Sequence, residues 1–351
     1  MKKAYLILQD GTVFEGNSFG AEGSAVGEIV FTTNMWGYLE TLTDQSYHGQ
    51  IILHTFPLIG NYGIIPQDFE SAALAPKGYI VKHPCPFPSN FRNTGRLDSF
   101  LAQRGIVGLC GIDTRKLTKI IRQNGVMNGK ITTVKPGKAC QAEAAKYSIK
   151  NAVAAVSCKK AETAGSGKFR VALMDYGAKR GIAEALVNRG CTVTTLPHGT
   201  SFDEILKTKP HGIMLSNGPG DPAEEANAGI IATIKKLQAS GLPMFGICLG
   251  HQLMALANGY KTAKLKFGHR GGNQPVKELA TGRVFITSQN HGYEVLAPGK
   301  SSFVNVNDGT CEGLDYGRQF TVQFHPEARG GPLDTAHLFD KFIKMMEVSA
   351  L

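Results

Sequence analysis

The 351-residue sequence contains no apolar run near the roughly 20 residues that a transmembrane helix needs. Its seven cysteines include no Cys-x-x-Cys pair, so neither a disulfide-rich scaffold nor a zinc finger is indicated. The basic start is followed by an apolar stretch only from Ala4 to Leu8, which is too short for the core of a secretion signal. We therefore expect a cytoplasmic protein with no membrane association.

Patterns for binding nucleotides and nucleic acids are also missing. Gly299-Lys300-Ser301 resembles the end of a phosphate-binding loop, but Glu294 stands where that loop needs glycine. The net charge of +10 is divided evenly between the two halves of the chain, so it indicates a basic surface rather than a nucleic-acid-binding stripe. His269 has no partner at the spacing of metal ligands, so we predict no metal and no cofactor on this chain.

The length and pattern predict two domains. Residues 1–152 contain strands, turns and a few helices, which predicts a smaller mixed α+β domain. Residues 153–168 show no clear period and end in Gly-Ser-Gly, so they are predicted to be a linker. In residues 169–351, apolar strands alternate with amphipathic helices, which is typical of an α/β domain with a doubly wound, mostly parallel sheet.

One segment of the second domain has the layout of a nucleophile elbow. Gly246-Ile247-Cys248-Leu249-Gly250 joins a short apolar strand directly to a helix, with cysteine where related turns carry serine. Glycine is needed in so sharp a turn because a Cβ atom has no room there. The turn places the thiol at a helix N-terminus, which favours a thiolate, and places the Leu249 N–H where it can hold an oxyanion.

A thiol nucleophile needs a base, and the base needs a group that orients it. His325 and Glu327 follow a strand-like run and offer both within three residues. His325 can exchange a proton with the thiol, and Glu327 can hold the imidazole in the useful tautomer. We expect His251, which begins the helix after the elbow, to be structural.

A loop rich in glycine and proline covers residues 216–222, between a strand and a helix. Its backbone can approach a ligand closely, so it is a candidate for a second oxyanion donor. By itself, this loop is better explained as an ordinary turn between a strand and a helix.

Together these motifs resemble those of the class I (triad) glutamine amidotransferases. Residues 1–152 in turn resemble the N-terminal domain of the small subunits of carbamoyl-phosphate synthases. The stretches of the first domain that carry this second resemblance are Gly27–Thr33, Gly37–Tyr38, Leu42–Tyr47, Ile59–Asn61, Ser89–Thr94 and Ile112–Thr118. In the second domain, Lys266–Asn273 and Gln289–Tyr293 are also typical of these small subunits. The likeness covers essentially the whole chain.

The resemblance implies a role for each matching residue. Cys248 is the nucleophile, His325 and Glu327 complete the triad, and the backbone of Gly218 and Leu249 forms the oxyanion hole. The residues implied to contact L-glutamine are Ser46, Gly218, Gly220, Leu249, Gln252, Asn290, Gly292 and Tyr293. The sequence departs from the family pattern at Tyr293, where phenylalanine is expected, and at Phe324, where a small residue is common and a large one could narrow the pocket.

The resemblance also implies a partner. A large synthetase subunit, with ATP and Mg²⁺ bound to it, would make carbamoyl phosphate from bicarbonate and the ammonia that this chain releases. The carbamoyl phosphate would be used in arginine or pyrimidine biosynthesis. Residues 1–152 would dock this partner and shield the ammonia, so we expect a heterodimer or a larger complex. Two alternatives are another amidase or γ-glutamyl hydrolase on the same fold, and a regulatory scaffold without catalysis.

Overall fold

A computed structural model describes residues 2–349 of the chain. The chain divides into two compact units between Ile149 and Lys150. In the described part of the chain, no helix combines the length and the apolar character needed to cross a membrane.

The N-terminal unit is built around a closed barrel of seven strands. The barrel strands and two short additional strands are β1 Lys3–Leu8, β2 Val13–Gly20, β3 Ser24–Thr32, β4 Gln50–His54, β5 Leu58–Ile59, β6 Gly78–Val81, β7 His83–Pro84, β8 Val107–Cys110 and β9 Met127–Thr132. The order around the barrel is β1-β2-β8-β6-β4-β3-β9, and β9 closes it by pairing with β1. The helices are α1 Tyr38–Thr43, α2 Leu97–Gln103, α3 Thr114–Asn124 and α4 Lys138–Lys146.

Local chemistry accounts for the start of the barrel. Strands β1 and β2 form an antiparallel hairpin around Asp10-Gly11, where Asp10 Oδ1 accepts a hydrogen bond of 2.8 Å from the Thr12 N–H. Gly11 has a φ of 91°, which a residue with a Cβ atom rarely adopts. Later in the unit, the Asp113 side chain caps α3 by accepting from the Lys116 N–H. The unit is a mixed α+β domain, as predicted.

The C-terminal unit contains one ten-stranded sheet. Its elements are α5 Ala152–Val156, β10 Glu162–Ala164, β11 Phe169–Asp175, α6 Arg180–Val187, β12 Cys191–Pro197, α7 Phe202–Lys207, β13 Gly212–Leu215, α8 Ala228–Ala239, β14 Met244–Ile247, α9 Leu249–Ala257, β15 Lys261–Glu278, β16 Val284–Leu296, β17 Ser301–Asn305, β18 Cys311–Asp315, β19 Gln319–Val322 and α10 His337–Ser349.

The sheet has a parallel half and an antiparallel half. The parallel half contains β12-β11-β13-β14-β19, whose connections include the predicted helices. The antiparallel half continues through β18-β16-β15-β17, and the short β10 pairs antiparallel with β12 at the opposite edge. The predicted α/β class with a nucleophile elbow is confirmed, and the antiparallel half is an extension of the expected parallel arrangement.

The structure corrects two boundaries. Residues 153–168 are not a separate linker, because most of α5 and all of β10 fall within them and both belong to the C-terminal unit. Val153 is buried among core residues of that unit, and β10 pairs with β12, so this segment gains packing and hydrogen bonds that its composition did not indicate. The helix predicted to follow the loop at residues 216–222 begins only at Ala228, after a turn and a short 3-10 helix at Glu225–Asn227.

Candidate active site

Cys248 lies in the turn between β14 and α9 with a φ of 53° and a ψ of −102°. A residue with a side chain rarely adopts a positive φ, and such backbone strain is typical of functional sites. The neighbouring glycines make the turn sterically feasible. A Cβ atom on Gly250 would lie 2.4 Å from the Leu215 carbonyl oxygen, and one on Gly246 would lie 2.9 Å from the side chain of Thr321. The elbow that the motif predicted is therefore present.

His325 and Glu327 follow β19, which is the parallel neighbour of β14 in the sheet. Because Ile247 pairs with Val322, the chain leaves both strands at the same edge of the sheet. His325 Nδ1 lies 2.6 Å from Glu327 Oε1, and both side chains are fully buried. The second ring nitrogen, Nε2, is buried and makes no hydrogen bond within the described part of the chain, and the Cys248 thiol is close enough to raise the pKa of the ring. The structure thus brings the three predicted triad residues together.

In the buried His325–Glu327 pair, the charge of each residue stabilises the charge of the other. Burial by itself lowers the pKa of His325, and the Lys179 ammonium lowers it further, but the hydrogen-bonded Glu327 carboxylate and the neighbouring Cys248 thiol raise it well above the ordinary value. Burial alone raises the pKa of Glu327, yet the positive charge of His325 holds it below its ordinary value. An imidazolium next to a carboxylate is therefore the favoured state at neutral pH.

Lys179 is a site residue that sequence analysis missed. Its Nζ atom lies 3.7 Å from Glu327 Oε1, and its side chain is 11% exposed. The backbone N–H of Lys179 donates to Asn217 Oδ1 at 3.0 Å, which ties the start of α6 to the loop at residues 216–222. No motif marks Lys179, because its contact with Glu327 depends on two strands that are far apart in sequence.

The loop at residues 216–222 lies directly against the elbow. A Cβ atom on Gly218 would lie 2.2 Å from the Tyr176 carbonyl oxygen and 2.8 Å from the Leu249 side chain, so only glycine allows this approach. Leu249 supplies the first N–H of α9, and the first four amides of a helix have no partner within it. The two residues predicted to form an oxyanion hole are therefore neighbours. Gly220, in the same loop, has a φ of 94°.

Three predicted glutamine-binding residues lie on β16, and Gln252 lies on α9 opposite them. The Asn290 carbonyl oxygen is 3.7 Å from Cys248 Sγ, which places this part of β16 beside the nucleophile. Gln252 is buried and its Nε2 donates to the Tyr293 carbonyl oxygen and to Gln323 Oε1, both at 2.9 Å. Gly292 separates Asn290 and Tyr293 along the strand. Gln252 thus holds β16 against α9 in this structure.

Ser46 and Phe324, the remaining residues named from the sequence, lie in different units of the chain. Ser46 is buried in the N-terminal unit, in a 3-10 helix at Gln45–Tyr47, and its N–H donates to Asp44 Oδ1. The ring of Phe324 packs edge-on against Phe303, with 5.5 Å between centroids, so it lies in the core and does not fill a pocket.

His251 has the structural role that we expected. It is completely buried, and its Nδ1 lies 2.8 Å from Thr321 Oγ1. Burial lowers the pKa of His251 to about 3, so the ring is neutral at physiological pH. It joins α9 to β19, the two elements that carry the elbow and lead to His325.

Family models match both units of the chain. The model described as carbamoyl-phosphate synthase small chain, CPSase domain, matches residues 6–131, and the model described as glutamine amidotransferase class-I matches residues 172–345. Among solved structures, a glutamine amidotransferase from Thermotoga maritima aligns with 52% of this chain and 93% of its own length, at 17% identity and a TM-score of 0.38.

Curated relatives are similar over nearly the whole chain. The carbamoyl phosphate synthase small chain of Listeria monocytogenes serotype 4b (strain F2365) is 49% identical over 99% of this chain and 97% of its own length. The carbamoyl phosphate synthase pyrimidine-specific small chain of Bacillus subtilis (strain 168) is also 49% identical, with the same coverage of both chains. On these two domain matches and this full-length similarity, the chain belongs to the family of carbamoyl-phosphate synthase small chains.

Proposed function

We propose that this chain hydrolyses L-glutamine to glutamate and ammonia, with Cys248 as nucleophile, His325 as acid and base, and Glu327 as the group that orients His325. The observation that carries this proposal is the strained Cys248 at a strand-to-helix turn beside the buried His325–Glu327 pair, whose Nδ1 and Oε1 atoms are 2.6 Å apart. Membership of a family whose relatives are named as synthase small chains supports the same reaction.

In the first half of the reaction, the Cys248 thiolate attacks the carbon of the glutamine side-chain amide. The carbonyl oxygen gains the negative charge and is held by the N–H groups of Leu249 and Gly218, and a donor of this kind contributes about 3 kcal/mol to transition-state stability. The C–N bond then breaks while the His325 imidazolium gives its proton to the departing nitrogen, which leaves as ammonia. A thioester remains on Cys248.

In the second half, water attacks the thioester. Neutral His325 takes a proton from this water, and the C–S bond breaks to release glutamate and restore the thiolate and imidazolium. Glu327 contributes in both halves, because its contact with Nδ1 leaves Nε2 facing the nucleophile and stabilises the charged ring.

We further propose that the ammonia passes to a large synthetase subunit that uses bicarbonate and ATP. The names of the relatives support this partner, since each is called a small chain. The surface of the N-terminal unit supports it too: the large apolar side chains of Phe87 and Phe91 are 86% and 96% exposed in the segment after β7. Exposed apolar surface of this kind is typical of protein interfaces.

Two other functions are less well supported. A free amidase or γ-glutamyl hydrolase needs only the C-terminal unit. Such a function therefore gives no role to the N-terminal barrel. A regulatory scaffold has no need of the strained backbone at Cys248, which costs about 1–3 kcal/mol and is typical of active sites.

The test is covalent labelling with a diazo-ketone analogue of glutamine, followed by intact mass and peptide mapping. We expect a single adduct, located on Cys248 and prevented by excess L-glutamine. Cys248→Ala should give no adduct and no glutamine-dependent turnover, whereas Cys140→Ala, a half-buried cysteine of the N-terminal unit, should label like the unchanged chain. Full turnover by Cys248→Ala would contradict the proposal.

The partner is tested separately in the native lysate. We expect the chain to elute together with a large synthetase chain, in equal stoichiometry. The double variant Phe87→Asp, Phe91→Asp should weaken this association, because it places negative charges on the exposed apolar surface. A chain that elutes only as a free monomer would contradict the proposed complex while leaving the glutaminase proposal standing.

A further inference from the structure

Three strands of the antiparallel half bring a second cluster of ionisable side chains together. His269 on β15 and His291 on β16 are paired across the strands, and Glu312 lies on the neighbouring β18. Their ligand atoms all lie within 4.8 Å of one another, and all three residues are buried. The prediction of no metal rested on His269 alone, because the other two residues are distant along the chain.

Each histidine has one nitrogen fixed by an outside acceptor. His291 Nδ1 lies 2.8 Å from the Tyr293 carbonyl oxygen, which only accepts hydrogen bonds, so Nδ1 carries the hydrogen. His269 Nε2 lies 2.8 Å from Asp308 Oδ2 and donates to it in the same way. When each ring is neutral, the lone pairs of His291 Nε2 and His269 Nδ1 therefore face each other, 3.3 Å apart.

Two oxygen atoms complete the cluster. Glu312 Oε1 is 3.5 Å from His269 Nδ1, and Gln289 Oε1 is 3.1 Å from His291 Nε2. The orientation of Gln289 is fixed because its Nε2 donates to Glu312 Oε2 at 3.0 Å. Asn305 Nδ2 donates to the same Glu312 Oε1 at 3.2 Å. When both rings are neutral, the acceptor atoms His269 Nδ1, His291 Nε2 and Gln289 Oε1 therefore converge without a hydrogen on any of them.

The separations fit a bound metal ion. Zinc with ligands about 2.0–2.1 Å away in a tetrahedron has neighbouring ligand atoms about 3.3 Å apart. Metal-binding histidines also usually donate their second N–H to a carboxylate or a backbone carbonyl, which is the arrangement at Asp308 and Tyr293. Two imidazoles and a carboxylate are the ligand types that zinc and similar divalent ions prefer.

We propose that His269 Nδ1, His291 Nε2 and Glu312 Oε1 bind a divalent metal ion of the zinc class. Gln289 Oε1 then lies next to the bound ion. The ion joins β15, β16 and β18 and fixes the segment of β16 that runs past Cys248. Its role is structural, and the inference does not depend on the proposed glutaminase reaction.

The test is a zinc titration of the full chain in which Cys248→Ser removes the reactive thiol as a competing ligand. The chain is first dialysed against a chelator, and Zn²⁺ is then added in competition with a chromophoric chelator while metal content is measured by mass spectrometry. We expect one Zn²⁺ per chain and a rise in the melting temperature on binding. Bound Co²⁺ should show the strong visible absorption of a tetrahedral site.

Matched variants locate the site. In the same Cys248→Ser background, Glu312→Gln should weaken Zn²⁺ binding at least about 100-fold, and Asp308→Asn, which changes an exposed carboxylate, should weaken it about 10-fold. His337→Asn, which changes an exposed histidine on α10, should bind like the parent. Circular dichroism confirms that each variant is folded. A folded parent that binds less than one Zn²⁺, or a folded Glu312→Gln that binds as tightly as the parent, would overturn the metal site and leave a hydrogen-bonded cluster.

Discussion

The two halves of the ten-stranded sheet place their functional side chains in different ways. In the parallel half, Cys248 and His325 lie just beyond the ends of β14 and β19, on segments free to adopt unusual backbone angles. In the antiparallel half, His269, His291 and Glu312 lie within strands and meet across the ladder. Strand ends suit groups that must reach a substrate, whereas positions within strands suit groups that hold the sheet together.

The comparison is tested most strongly by changing one histidine in each half. His325→Asn removes the acid and base of the proposed reaction, so glutamate production should fall by about 1,000-fold or more. His269→Asn leaves the triad intact, so the rate should fall by no more than about 10-fold. The measurement is glutamate release by the purified protein, with circular dichroism to confirm folding. Losses of equal size would show that both halves carry the chemistry.

Charge gives the second test. Glu327→Gln leaves His325 buried without its carboxylate and removes the contact of Lys179 with Glu327, and breaking a buried pair in this way costs about 3 kcal/mol of unfolding free energy. The folded pKa of His325 is raised above 6.5, so its stabilisation is complete below that pH and declines as the pH rises. The folded pKa of Glu327 is lowered below 4.5, so its stabilisation is complete above that pH and is lost in acid.

The difference in stability between the unchanged chain and Glu327→Gln should therefore be largest between about pH 4.5 and 6.5 and should shrink toward alkaline pH. Urea unfolding at several pH values measures it. The control is Glu347→Gln, which changes an exposed carboxylate on α10 and should give only a small difference. A Glu327→Gln difference that grows with pH would contradict the charged state assigned to His325.

The two halves also differ in how far the sequence predicts them. The triad could be predicted because its parts lie in compact motifs: Cys248 has a glycine two residues away on each side, as a sharp elbow requires, and His325 is two residues from Glu327. The alternation of strands and helices likewise predicted the parallel sheet. Such patterns are local, so they can be recognised from the order of the residues in the sequence alone.

Contacts between distant strands leave no such pattern. His269 meets His291 and Glu312 only because β15, β16 and β18 adopt a particular register, and that register includes irregularities between Lys264 and His269. Lys179 meets Glu327 for a similar reason. The prediction of a linker at residues 153–168 missed strand β10 for the same reason, because this edge strand is stabilised by pairing with β12 rather than by its own sequence.

The smallest of the expected effects concerns the close approach of helix and strand in the parallel half. A Cβ atom on Gly250 would lie 2.4 Å from the Leu215 carbonyl oxygen and 2.7 Å from the Leu215 side chain, so α9 would have to move away from β13. We expect Gly250→Ala to lower the unfolding free energy by about 1–3 kcal/mol, the usual cost of overpacking. Because α9 begins at the elbow, labelling of Cys248 by the glutamine analogue should slow as well.

Gly229→Ala supplies the contrast, because Gly229 also lies in a helix, α8, but a Cβ atom there would meet nothing within 4 Å. Alanine favours helix over glycine, so this variant should be more stable by up to about 1 kcal/mol and should label normally. Urea unfolding and the labelling rate measure both variants. If Gly250→Ala were as stable and as reactive as Gly229→Ala, the tight glycine turn would not be what positions Cys248, and the distinction between the two halves would rest on the charged pair alone.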